Sequence, residues 1–277
     1  MNYRHAFHAG NFADLVKHAA LLQLLARQAG QPGSLTVIDT HAGRGLYDLA
    51  GAEAKKSGEA EAGIVRLMAA VDAPGEFAPL TAAVRKLNGG GAVRRYPGSP
   101  WLIAEALRPG DSYLACELRP EEHQALHDRM KGKRGVRTLC ADGYQAAVAQ
   151  TPPPTQGAGR TLVLIDPPFE RSDDYARIVE TLAGVRGRNP QAMALVWLPL
   201  KDLETFDGFL RDLEDELDAP ALVAEVRMRP LTDPLKMNGC ALVLLGAPDG
   251  VAGPLEAICG WTARSLGDNG TAKVYAL

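Results

Sequence analysis

No apolar stretch of the 277-residue chain approaches the roughly 20 residues that a bilayer-crossing helix needs. The opening MNYRHAFHAGNFADLVKHAALL carries charge where a secretory signal requires an uninterrupted apolar core, so a cytoplasmic chain without a membrane is expected. Cysteine is scarce. Cys116, Cys140, Cys240 and Cys259 lie far apart with no Cys-x-x-Cys pair, which disfavours a disulfide framework and predicts buried reduced thiols. His5 and His8 have no neighbouring cysteine or carboxylate to complete a metal site, so no metal is expected. Internal repeats and low-complexity tails are absent. A strong charge of one sign is absent too: the formal net charge is −3, which argues against nonspecific coating of nucleic acid.

What is present is an ordinary globular composition, 46% hydrophobic and 23% charged, long enough for one large α/β domain carrying an insertion. Asn11 is a candidate N-cap with Asp14 three residues on, and Leu15, His18, Ala19, Leu22 and Leu25 recur at helical spacing. A first helix over about 12–28 follows, ended by Gly30 and Pro32. Short apolar strands alternate with helical patterns after it, at Thr36–Asp39, Tyr113–Glu117, Val136–Cys140, Leu162–Ile165 and Met193–Trp197. Leu222–Met228 and Ala241–Leu245 read as a closing hairpin. Strands alternating with helices predict a doubly wound, mostly parallel sheet in a single domain spanning 1–277. The long gap between Asp39 and the next strand-ending acid, Glu117, is filled by helical patterns over 49–95, read as a small helical insertion.

Ligands of open α/β sheets bind at the carboxyl ends of the strands, so those ends carry the chemistry. The first strand runs into Asp39-Thr40-His41-Ala42-Gly43-Arg44-Gly45. A dinucleotide fingerprint would place a third glycine where Asp48 stands, so a nicotinamide cofactor is disfavoured. An acid ahead of the glycines suits a ligand with an ammonium group instead. Glu117 at the next strand end can accept both hydroxyls of a ribose, and Asp142-Gly143 can meet an adenine amino group. The apolar run Thr161–Ile165 stops at Asp166-Pro167-Pro168-Phe169, because proline cannot continue the ladder. There an acid, backbone carbonyls and an aromatic ring together suit a planar group bearing an NH2.

With these motifs in place, the chain resembles the class I S-adenosylmethionine-dependent amino-methyltransferases, whose fourth-strand motif reads (Asp/Asn/Ser)-Pro-Pro-(Tyr/Phe/Trp). More closely it is similar to the bacterial 23S ribosomal RNA adenine-N6-methyltransferase family RlmJ. The resemblance rests on Tyr3-Arg4-His5, Phe7-His8-Ala9-Gly10-Asn11, Asp14, Lys17-His18 and Asp39 to Gly43. It continues through Tyr96-Pro97-Gly98-Ser99-Pro100, Glu117, Asp142-Gly143 and Ile165 to Pro168. It implies a Rossmann-like sheet with a helical insertion and S-adenosylmethionine as cofactor. The implied cofactor wall is His18, His41, Gly43, Ser99, Glu117, Asp142, Gly143 and Asp166. Asp166 becomes the proton acceptor beside Pro167 and Phe169, and Tyr3, Arg4, His5 and Lys17 form the RNA-facing set. Phe169 departs from the tyrosine frequent in the family, which leaves stacking without a phenol hydroxyl. The expected partner is 23S ribosomal RNA, naked or early in assembly, with no obligate protein partner. Three other readings are compatible with the same motifs: methylation of DNA adenine or cytosine, methylation of a protein or small-molecule amide, and a non-catalytic ribosome-associated RNA-binding protein.

Overall fold

The computed structural model describes residues 5–154, 159–217, 219–232 and 237–277. Helix α1 spans Phe12–Ala29, and Asn11 caps it as its sequence position predicts, accepting the Asp14 amide at 3.0 Å. The reciprocal half of a capping box is missing. The Asp14 carboxylate turns instead to the Gly10 amide, His5 and Lys17.

The central sheet has eight strands in the order β10-β8-β9-β7-β6-β1-β4-β5. Its parallel half comprises β1 (Leu35–Asp39), β4 (Ser112–Cys116), β5 (Val136–Leu139), β6 (Arg160–Ile165) and β7 (Met193–Leu200). The antiparallel remainder is β8 (Ala221–Arg227), β9 (Gly239–Leu245) and β10 (Thr271–Ala276). The expected hairpin is present as β8–β9, with β9 inserted between β7 and β8. The edge strand β10, TAKVYA, is half-exposed and adds an eighth strand beyond the expected ones.

The apolar runs arise because both faces of the sheet are covered. Alternate β6 side chains serve opposite layers: Leu162 and Leu164 pack toward α1, whereas Val163 and Ile165 pack on the other side. The first layer also contains α5 (Ser99–Ala106), α6 (Pro120–Met130) and α10 (Ala252–Leu266). The second contains α7 (Gly143–Gln150), α8 (Asp174–Arg188) and α9 (Leu203–Glu216). Each fully buried branched side chain stabilises the fold by roughly 1.5–3 kcal/mol.

Between β1 and α5 the chain runs through β2 (Leu46–Asp48), α2 (Ala52–Ser57), a π-helical turn at Glu61–Val65, α3 (Arg66–Ala69), α4 (Ala78–Leu87) and β3 (Arg95–Pro97). Strands β2 and β3 form a separate two-stranded ladder. This segment docks on the N-terminal residues through Gly63. A Cβ there would stand 2.2 Å from the Gly10 carbonyl oxygen, so only glycine permits the approach. Among the cysteines, Cys116, Cys240 and Cys259 are buried as expected. Cys140, just past edge strand β5, is exposed, because that edge is covered on one side only. No helix among the described residues is long and apolar enough to cross a membrane.

Candidate active site

The carboxyl ends of β1, β4, β5 and β6, together with the first turns of α1, enclose a cavity of about 390 Å3. That lies within the roughly 300–1,000 Å3 of small-molecule sites. Every described residue of the sequence-predicted set reaches its wall: His5, Lys17 and His18; His41, Gly43 and Ser99; Glu117, Asp142 and Gly143; Asp166, Pro167 and Phe169. Tyr3 and Arg4 lie outside the described residues.

The β1 turn is built around its acid. Asp39 does not line the cavity, contrary to its expected place facing an ammonium group. Fully enclosed, it accepts the Ser99 hydroxyl at 2.7 Å, the Tyr113 hydroxyl at 3.1 Å and the His41 amide at 3.3 Å. Burial pushes its carboxyl up to about 6. Ser99 therefore opens α5 without capping it, its hydroxyl being spent on Asp39. His41 packs edge-on to Tyr144, and burial lowers it to about 4, so it is neutral at pH 7. His18 is neutral for the same reason, lowered to about 3, with Nδ1 paired to the Tyr96 hydroxyl at 2.8 Å.

Glu117 stands immediately past β4. Its Oε2 accepts the Gly43 amide at 3.0 Å and its Oε1 the Arg119 amide at 2.8 Å, so each oxygen keeps a lone pair. Burial raises its pKa. Asp142 caps α7, accepting the Tyr144 and Gln145 amides, while its other oxygen takes the Arg177 guanidinium at 2.6 Å. Burial opposes its charge, but these donors hold the carboxyl below its ordinary value. Gly143 is obligatory: a Cβ would lie 1.8 Å from the Thr40 carbonyl oxygen, where the β1 turn crosses the start of α7. Arg177 lies 4.3 Å over the Tyr144 ring and lines the cavity. Sequence reading missed it, because a lone arginine on an amphipathic helix looks like solvated surface.

The Asp166-Pro167-Pro168-Phe169 turn ends β6. Phe169 has φ +51°, a left-handed conformation that costs a non-glycine residue on the order of 1–2 kcal/mol. Its ring lies 4.9 Å from Tyr175 and 5.8 Å from Trp197. Asp166 Oδ2 accepts the Lys17 ammonium at 2.5 Å, and Lys17 also reaches Asp14 at 2.9 Å. Lys17 thus departs from its expected place on an RNA-facing surface. It is buried, and both its partners are acids. Burial would lower its pKa, but Asp14 and Asp166 raise it well above the usual lysine range. Asp14, also buried, is held well below the carboxylate range against the opposing effect of burial by His5, Lys17 and His18. His5, half-buried, donates to Asp14 at 3.0 Å and meets the Tyr47 ring edge-on.

This geometry has close relatives. The model of the family described as "Ribosomal RNA large subunit methyltransferase D, RlmJ" matches residues 33–276. The Haemophilus influenzae protein named ribosomal RNA large subunit methyltransferase J is 32% identical over 272 residues, covering 98% of this chain and 96% of its own. The Escherichia coli protein of the same name is 30% identical over 271 residues, with the same coverage. A Legionella pneumophila crystal structure superposes with a TM-score of 0.87 at 27% identity, over 97% of this chain and 98% of that one. The chain belongs to the RlmJ family of ribosomal RNA large-subunit methyltransferases, and its sheet is the Rossmann-like class I methyltransferase sheet.

Proposed function

We propose that the protein transfers a methyl group from S-adenosylmethionine to N6 of an adenine in 23S ribosomal RNA, in the cytoplasm and without an obligate protein partner. The observation that supports this best is that one cavity joins the Asp-Pro-Pro-Phe turn to the strand-end acids Glu117 and Asp142.

The donor set fits S-adenosylmethionine. Glu117 keeps a lone pair on each oxygen for two ribose hydroxyls, and Asp142 with Gly143 borders the place for the adenine. Gly43, at φ +61°, lines the same wall, where a Cβ would stand 2.4 Å from the Tyr47 hydroxyl, and His41 and Ser99 fill the wall beside it. His18 contributes packing, since its Nδ1 is committed to Tyr96. When bound, S-adenosylmethionine supplies a methyl group made electrophilic by its sulfonium.

The remaining chemistry belongs to the turn after β6. An adenine amino group is a poor nucleophile because its lone pair is delocalised into the ring. The carboxylate of Asp166 and the carbonyl of Pro167 accept its two hydrogens and favour a pyramidal nitrogen with the lone pair aimed at the methyl carbon. Lys17, itself held by Asp14, fixes the Asp166 carboxylate in place by donating to Oδ2, which leaves Oδ1 for the substrate. The proton leaves after transfer, when the nitrogen has become acidic, and Oδ1 receives it. Positioning supplies most of the acceleration. Phe169, preset by its left-handed backbone, stacks on the extruded base. His5, with Tyr3 and Arg4, faces the RNA. Residues 49–95 are a helical insertion within the single domain that braces this N-terminal segment.

Incubation with labelled S-adenosylmethionine and separate pools of protein-free ribosomal RNA, DNA and protein is the test. Label is expected in 23S RNA, as N6-methyladenosine on digestion and mass analysis; label confined to DNA or protein overturns the reading. Asp166→Ala is expected to abolish transfer while cofactor affinity stays within about threefold, less than 1 kcal/mol.

A further inference from the structure

A second cavity of about 200 Å3 adjoins the first, and Phe169, Arg171, Pro199 and Lys201 stand on the walls of both. Ser172, Tyr175, Asp202 and Thr205 complete its lining. It is smaller than the roughly 300–1,000 Å3 typical of whole small-molecule sites, so it suits one chemical group of a larger ligand.

Its polar groups select the sign of that ligand. Lys201 is exposed and makes no ion pair among the described residues. The Tyr175 hydroxyl has no hydrogen-bond partner among them either. Arg171 gives Nε and Nη2 to Asp173 at 2.8 Å each and keeps Nη1. The one acid in the lining, Asp202, caps α9: its two oxygens take the amide and hydroxyl of Thr205, one bond each. Donors therefore outnumber free acceptors, next to an aromatic pair.

Extruding a base from an RNA strand requires a grip on the backbone beside it, because the phosphates carry register and orientation. We propose that the second cavity binds the phosphodiester adjacent to the extruded adenine, with Lys201 and Tyr175 as its principal donors and Phe169 as the partition between base and backbone. This rests on the adenine-methylation reading above. It adds a backbone subsite on the β7–α9 side of the pocket.

The test compares wild type, Lys201→Glu, Lys201→Arg and Tyr175→Phe, with Lys131→Glu as an exposed control outside both cavities. Affinity for a fluorescent 23S-derived hairpin is measured across a salt series by anisotropy, and affinity for S-adenosylhomocysteine by calorimetry. Lys201→Glu is expected to weaken hairpin binding about tenfold and to lower the salt slope by about 1, with Lys201→Arg restoring both. Tyr175→Phe weakens hairpin binding a few-fold without changing the slope. S-adenosylhomocysteine affinity stays within about twofold throughout. Hairpin affinity and slope equal to wild type in Lys201→Glu overturn the subsite, as does an equal loss in Lys131→Glu. The same preparations are digested for N6-methyladenosine. Wild type that makes it while Lys201→Glu binds normally removes the subsite alone; wild type that makes none removes the parent reading and the subsite together.

Discussion

At the scale of single residues, the decisive contact is Lys17 with Asp166, 149 positions apart in the chain. Spacing along the sequence gives no hint of it. Lys17 sits at a charged position among basic neighbours, so its natural sequence reading is phosphate attraction, while the structure places it between two carboxylates. Removing one partner of a buried ion pair leaves the others uncompensated, at about 3–5 kcal/mol. Lys17→Met is therefore expected to lower stability by about that amount in urea unfolding. It should also abolish turnover by releasing the Asp166 carboxylate, whereas Lys17→Arg should recover most stability and only part of the turnover. A Lys17→Met protein that unfolds at the wild-type midpoint and turns over normally would show that the pair positions nothing. Because the lysine is inside the pocket wall, the loss should fall on turnover more than on RNA affinity.

At the scale of elements, the loop after β1 and the start of α7 act as one unit. Gly143 seats α7 against the Thr40 carbonyl, and Asp142 caps the same helix while bordering the cavity. A Cβ at 143 would meet backbone that cannot swing aside, so Gly143→Ala should behave as overpacking, costing about 1–3 kcal/mol. It should also weaken S-adenosylhomocysteine binding about tenfold or more by lifting Asp142 off its register. Gly187→Ala in α8 is the matched control. Nothing lies within 4 Å of its Cβ, so it should gain roughly 0.5–1 kcal/mol from lower chain entropy. Normal cofactor affinity in Gly143→Ala would separate α7 from the site. The main elements were legible because hydrophobic period, caps and breakers are local. Asn11 and Gly30 bound α1, and Pro167 and Pro168 end β6. What was not legible depends on long-range partners. Asp39 looked like a ligand-facing acid, yet Ser99 and Tyr113 enclose it. Arg177 carries no local signal, yet Asp142 and Tyr144 hold it at the cavity. Strands β2 and β3 have three residues each and β10 is half-exposed, so none of them carries the apolar run that marks the central strands.

At the scale of the whole molecule, the cluster of buried titratable groups around one pocket makes global stability depend on pH. His18 and His41 have folded pKa values lowered by burial to about 3 and about 4 from 6.5. Below 6.5 the unfolded chain binds a proton at each that the folded chain refuses. Their stabilisation is complete above pH 6.5 and is lost as pH falls toward 4 and 3. Asp39 runs the other way. Burial raises it to about 6 from 3.8, so between those values the folded chain holds the extra proton, and stability falls as pH rises. Each unmatched proton is worth about 1.4 kcal/mol per pH unit. From pH 4 to 6 the two histidines outweigh the one aspartate by one proton, so these three groups should make stability rise by about 1.4 kcal/mol per unit. Urea unfolding at pH 4, 5, 6 and 7 measures this slope. His41→Asn should flatten it over that interval, because one remaining histidine then cancels Asp39. A His41→Asn protein that keeps the wild-type slope between pH 4 and 6 would mean that His41 accepts its proton in the folded state, and that the pocket wall there opens to water before the chain unfolds.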